Sequence, residues 1–195
     1  MIEQTIFAAL TIASFTISVK CDGTSTLLDF SAKAPDITKF YTANATIFTM
    51  RTTQRKVTCK VDKVANANST SVFFYRSYCL GHQWVNKTLV GTFTNVSVAV
   101  NATYDSMIVH PPGIIGKITE ELLYADPGFK CGVFKVFVQS NSGSPRKLAI
   151  YDLRVRKAYD QPHNAKCLLE FKKHAGKNYV HAFLPFCTSS TIICK

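Results

Sequence analysis

From residue 45 onward apolar and polar residues alternate along most of the chain, and turn residues interrupt the alternation at regular intervals. A period of two sends successive side chains to opposite faces of a strand. Strands are therefore predicted over 45–52, 56–64, 70–78, 88–100, 106–110, 118–125, 129–138 and 147–156. Eight strands in a meander predict an all-β fold, an antiparallel barrel closed around one small ligand. One segment breaks the period. "DQPHNAKCLLEFKKHAGK" offers Asp160 as N-cap and Pro162 in the first turn, carries an apolar face of Leu168, Leu169 and Phe171, and stops at Gly176 after Lys172 and Lys173. These are the start and stop signals of a C-terminal helix. A short N-terminal helix is expected within 22–33, ahead of Pro35. An immunoglobulin-type sandwich is the structural rival, but it explains neither the helix nor the cysteine-rich end.

The first residues follow neither period. Residues 6–17 are almost wholly apolar or small, with Glu3 the only charge before them and Lys20 the first after. This run falls short of the roughly 20 residues a membrane span requires and reads as a secretory signal peptide. A buried N-terminal helix or strand is the competing reading. Cleavage after Ser18 or after Cys21 would leave small residues at the required places, and 1–21 is assigned as signal with 22–195 as one domain. No second long apolar run follows, so no membrane span is expected. Asn-x-Ser/Thr sequons at Asn44, Asn68, Asn86, Asn95 and Asn101 are candidate glycan sites and support export to an extracellular location. Cysteines at 21, 59, 79, 131, 167, 187 and 194 fit an oxidising compartment, and loss of Cys21 with the signal leaves six for three bridges.

The formal charge of +11 adds a question about partners. Basic residues cluster at Arg51, Arg55, Lys56, Lys60 and Lys63, at Arg146, Lys147, Arg154, Arg156 and Lys157, and at Lys166, Lys172, Lys173 and Lys177. Such charge attracts acidic polymers or cell surfaces. No recognition helix or zinc spacing accompanies it, so nucleic acid is not expected as a partner. A solvated basic surface is the default.

On the strand at 129–138, Gly132, Phe134, Val136 and Val138 share one face and Cys131, Val133, Lys135 and Phe137 the other. The first set is assigned to the barrel interior. Cys131 then points outward, where the helix carrying Cys167 would pack, and a bridge between them would staple helix to wall.

At this point a resemblance enters. "LLYADPGFKCGVFKV", "YDLRV", "KCLLEF" and "FLPFC", in that order, resemble the second half of the tick salivary lipocalins, the tick histamine-binding protein family, and "KVTCKV" resembles their second-strand cysteine. The resemblance covers most of residues 40–190 and implies a lipocalin barrel with disulfides Cys59–Cys187 and Cys131–Cys167. Cys79 and Cys194 remain for a third bridge.

The family sequesters small mediators, biogenic amines or lipids according to member. A buried ammonium needs inward carboxylates and aromatic faces, whereas a fatty anion needs an apolar sleeve with an Arg or Lys at its mouth. By resemblance Asp152 takes the place of an inward glutamate. Glu120, Tyr124 and Asp126 alternate on the preceding strand with Leu122, and Phe73, Tyr75, Trp84 and Phe134 are candidate aromatic walls. Two departures count against an amine: Gly132 stands where histamine binders carry an acid, and Arg154 stands where they carry an aromatic. Alternation alone allows the opposite phase, with Tyr151, Leu153 and Val155 inward and Asp152 and Arg154 in solvent.

The expected function is capture of histamine or another biogenic amine by a monomeric secreted protein, with a leukotriene or fatty acid as the alternative ligand. A protein-binding immunomodulator using the basic surface is a further alternative. An enzyme is not expected: in "CLGH", Cys79 is better read as a half-cystine than as a nucleophile with His82 as its base, and no hydrolase, zinc-protease or phosphate-loop motif occurs. No metal and no cofactor are expected.

Overall fold

In the computed structural model, the structure describes residues 34–96, 103–114, 118–138, 149–156, 165–188 and 194. The expected signal 1–21, the helix expected within 22–33 and the sequon at Asn101 lie outside the described residues. The period-two segments form β1 (Thr46–Thr52), β2 (Val57–Ala67), β3 (Ser71–Leu80), β4 (Gln83–Thr94), β5 (Ser106–His110), β6 (Ile118–Ala125), β7 (Cys131–Val138) and β8 (Ala149–Arg156). Each pairs antiparallel with the next, and β1 pairs with both β2 and β8, which closes eight strands into a lipocalin barrel. A short β9 (Val180–His181) adds to β1 at Arg51 and Thr52, beyond the Thr46–Phe48 stretch that β2 occupies.

Two bulges set the inward phase. In β2 the pairing with β3 slips between Thr58 and Val61, where Cys59 adopts a left-handed φ of 51°. The extra residue reverses the alternation. Val57 faces the interior before it and Lys60, Asp62 and Val64 after it, while Cys59 turns out to Cys187. In β6 a slip between Leu122 and Tyr124 sends Tyr124 to the outside. Strand β4 begins at Gln83 rather than near 88, because a two-residue turn at Gly81 (φ 57°) and His82 lets Leu80 pair with Gln83.

One end of the barrel is filled by apolar side chains. The turn α1 (Ile37–Phe40), capped by Asp36 accepting from Thr38 N at 3.0 Å, plugs it with Ile37, Phe40 and Tyr41, all fully buried. Phe40 meets Phe134 edge-on at 5.0 Å, and Val64, Val72, Phe74, Phe93, Met107 and Leu122 complete this core. Gly132 is where α1 comes closest to the wall. A Cβ there would lie 2.9 Å from Leu122 Cδ1 and 3.0 Å from Phe40 Cε2.

The helix α2 (Ala165–Ala175) packs outside against β6, β7 and β8 and ends at Gly176, whose φ of 62° and N–H to Lys172 O make a glycine cap. Beneath it lie Cys131, Val133, Leu153, Cys167 and Phe171. Disulfides join Cys131 to Cys167, Cys59 to Cys187 and Cys79 to Cys194. Among the described residues no helix is long and apolar enough to cross a membrane.

Candidate functional site

Read along the strands away from α1, the barrel interior passes from apolar to charged and back to mainly apolar. In β2 the inward order is Val64, Asp62, Lys60, Val57; in β3 it is Val72, Phe74, Arg76, Tyr78; in β6, Leu122, Glu120, Ile118. β8 contributes Arg154, then Asp152, then Ile150, across from Gly132, Phe134 and Val136 of β7. Thus the chain builds a charged layer across the middle of the barrel.

Three cations, Lys60, Arg76 and Arg154, face three carboxylates, Asp62, Glu120 and Asp152, all nearly or wholly out of solvent. Arg76 grips Asp62 with two N–H donors, Nε to Oδ1 and Nη2 to Oδ2, each at 2.7 Å, and donates from Nη1 to Glu120 Oε1 at 2.6 Å. Arg154 contacts Glu120 Oε2 through Nη1, donates to Asp152 Oδ2 from Nη2 at 2.8 Å, and donates to the Tyr41 hydroxyl at 2.7 Å. The Tyr41 hydroxyl in turn donates a hydrogen bond to Asp62 Oδ2 at 2.9 Å. The Arg154 guanidinium also lies 4.4 Å from the centre of the Phe134 ring. Lys60 Nζ donates to Asp152 Oδ2 at 2.8 Å, whereas Asp152 Oδ1 is buried without a hydrogen-bond partner of normal geometry.

Pairing dominates the protonation states. Burial by itself would raise the Glu120 pKa, but Arg154 and Arg76 outweigh it and hold the carboxyl well below its usual range. Burial likewise opposes ionisation of Asp152, and Lys60 and Arg154 overcome it, with a smaller contribution from the Thr52 hydroxyl. Burial lowers the Lys60 pKa; Asp152 resists the shift, and Arg154 and Arg76 add to it. The Tyr41 phenol is pushed well up by burial, with Arg154 opposing.

Beyond the charged layer the barrel opens into a cavity of about 260 Å³ lined by Val57, Leu89, Val109, Ile118, Val136 and Ile150, with Tyr78, Gln54, His110 and Pro111. Among the described residues the charged groups on its wall are Lys60, Arg76 and Lys87, and none of the lining residues is an acid. All three network carboxylates lie behind their cations. A larger open groove of about 470 Å³, lined by Asn44, Phe129, Lys130 and Arg156 among others, sits by α1 at the other end. Its lining includes no residue of the charged layer, whereas Lys60 and Arg76 line the cavity inside the barrel, which is therefore the better candidate.

Of the residues singled out from the sequence, Glu120, Asp152, Arg154 and Phe134 converge inside the barrel. Others are corrected. Tyr124 lies outside, packed near α2 with Lys166 over its ring, because the β6 bulge reverses its phase. Asp126 belongs to the β6–β7 turn, where it accepts the N–H groups of Gly128 and Cys131. Tyr75 is 49% exposed and pairs edge-on with Phe73 on the outer face of β3, whose inner face is Val72, Phe74 and Arg76. Trp84 is 39% exposed beside the β3–β4 turn. Lys60, assigned to a solvated basic surface, is an interior cation, and Asp62, Arg76 and Tyr41, which the pattern did not single out, are buried in the same layer. Arg76 carried a signal, being the charge that continues the phase of Val72 and Phe74. Cys79 is bridged to Cys194 and offers no thiol nucleophile. Asn44, Asn68, Asn86 and Asn95 are all exposed.

No protein-family model matches the chain, and no curated protein sequence is similar to it. Solved structures do share its fold. Lobster apocrustacyanin A1 aligns with a TM-score of 0.51 at 8% identity over 74% of this chain and 77% of its own. Apocrustacyanin C2 aligns with a TM-score of 0.51 at 8% identity over 79% and 82%. A bovine odorant binding protein variant gives 0.48 at 12% identity over 69% and 89%.

Proposed function

We propose that this protein is a secreted, stoichiometric binder of a small acidic amphiphile, such as a fatty acid or a leukotriene-type lipid acid, held in the barrel mouth. One observation carries the reading: a cavity with apolar walls whose charged lining groups, among the described residues, are the cations Lys60, Arg76 and Lys87. Lys60 has donor capacity left beyond its bond to Asp152, and Lys87, exposed at the mouth, is near the Tyr78 ring. An anionic head between them gains charge-assisted hydrogen bonds while its tail lies on Val57, Leu89, Val136 and Ile150. At about 260 Å³ the cavity suits a medium-chain acid or the head-proximal part of a longer one.

The biogenic amine suggested by resemblance fits less well. Glu120 and Asp152 are both engaged by Arg154, and an ammonium would meet Lys60 and Arg76 before reaching either carboxylate. The three disulfides support an oxidising, extracellular setting, in which capture of a mediator requires binding alone. Titration calorimetry of the oxidised protein with octanoate, a leukotriene, histamine and serotonin tests the reading. Heat from the acids with none from the amines is expected. Binding of amines alone reverses the assignment, and silence to all four moves the search to the basic outer surface.

A further inference from the structure

Lys60 is an unusual lysine for reasons beyond charge. Its side chain is 8% exposed, yet it forms part of the cavity wall, so its ammonium lies within reach of a bound molecule and away from bulk water. Its carboxylate partner is shared: Asp152 Oδ2 also receives Arg154 Nη2 at 2.8 Å and Nε at 3.2 Å. Asp152 Oδ1 is fully buried and makes no hydrogen bond of normal geometry, so Oδ2 carries the ion pairs of this carboxylate with Lys60 and Arg154.

The geometry points to Lys60 as a site of covalent imine formation with small apolar aldehydes entering the barrel mouth. This rests on the reading that the cavity accepts an apolar tail. An aldehyde seated with its chain against Val57, Leu89, Val136 and Ile150 presents its carbonyl carbon to Nζ. The deprotonated amine is the nucleophile, and desolvation of the ammonium favours that form. The nitrogen lone pair forms the C–N bond as the carbonyl π electrons move to oxygen, which takes a proton to give a carbinolamine. The C–O bond then breaks and water leaves. The net change is R–NH₃⁺ plus R′–CHO to R–NH⁺=CHR′ plus H₂O, which needs no oxidant or reductant and conserves charge.

Charge conservation is what the surroundings favour. With Lys60 as ammonium, three cations balance three carboxylates in the layer; with Lys60 as iminium the balance is unchanged, and the iminium N–H keeps Asp152 as counter-ion. Exposed Lys63 and Lys87 have no enclosed counter-ion and share their surroundings with bulk water, which hydrolyses imines.

The test is reductive trapping. The oxidised protein is incubated with hexanal and cyanoborohydride at limiting aldehyde, and hexyl-lysine is located by peptide-mapping mass spectrometry. Octanoate affinity is measured on the same preparation. Lys60 is expected to be labelled at least tenfold faster than Lys63 or Lys87, with the excess abolished by octanoate and by Lys60→Gln or Lys60→Arg. Labelling spread evenly over exposed lysines, or absent from Lys60, overturns the inference. If octanoate binds and Lys60 is not labelled, imine formation fails while the acid reading stands. If Lys60 is labelled and octanoate does not bind, imine formation stands and the acid reading fails. Absence of both overturns both.

Discussion

Arg154 shows how a single residue carries two roles that pull in different directions. A guanidinium with no solvent contact is held by Glu120, Asp152, the Tyr41 hydroxyl and the Phe134 face, so its desolvation is offset only while those partners remain. Arg154→Met would leave Glu120 facing Arg76 alone and Asp152 facing Lys60 alone. The expected loss is about 3–5 kcal/mol, read from urea unfolding, and adding Glu120→Gln is expected to return part of it. An unchanged midpoint for the single variant would show that water reaches the layer. Gly132 belongs to the same scale. An acid at this position, which resemblance to histamine binders would have placed there, has no room beside Phe40 and Leu122. Gly132 and Arg154 are thus two parts of one interior, in which α1 packs against the wall at Gly132 and the arginine neutralises Glu120 and Asp152.

At the scale of elements, legibility depended on bulges. β7 keeps an unbroken period, and its inward Phe134 and outward Cys131 follow from alternation alone. β2 does not. Strict alternation carried through Cys59 would turn Lys60 and Asp62 outward, and only the left-handed residue at Cys59 brings them in. Nothing in "KVTCKV" marks that residue as a bulge, since cysteine has no preference for positive φ. The β6 bulge hid Tyr124 in the same way. Helix α2, in contrast, is legible in its basic last turn and Gly176, whereas Asp160 and Pro162, read as its start signals, lie outside the described residues, in which it runs from Ala165. Its staple is testable. Cys131 and Cys167 lie 36 residues apart, for which loop entropy gives about 4 kcal/mol. The Cys131→Ser/Cys167→Ser protein is expected to lose up to that amount and to show faster hydrogen exchange in α2, with β2–β3 protected. Equal loss of protection in both would mean that helix and barrel unfold as one unit.

For the molecule as a whole, the balanced interior layer predicts the pH response. Glu120 and Asp152 have folded pKa values below their unfolded ones, so their contribution is fully present above the unfolded values of about 4. It is lost as pH falls through the lower folded values. Thermal midpoints are expected to hold from pH 7 to about 5 and to fall steadily below about 4. A midpoint that rises on acidification would contradict the assignment of these groups as buried ion-pair partners. The proposed capture of an acid rests on the same asymmetry, carboxylates behind and cations facing the cavity. Calorimetric comparison of octanoic acid with its methyl ester, in the native protein and in Lys87→Met, tests that most directly because the tail is held constant. At least tenfold tighter binding of the acid is expected, with the advantage reduced in Lys87→Met and the ester unaffected. Equal affinity for acid and ester, or an acid preference untouched by Lys87→Met and by Lys60→Gln alike, would contradict it.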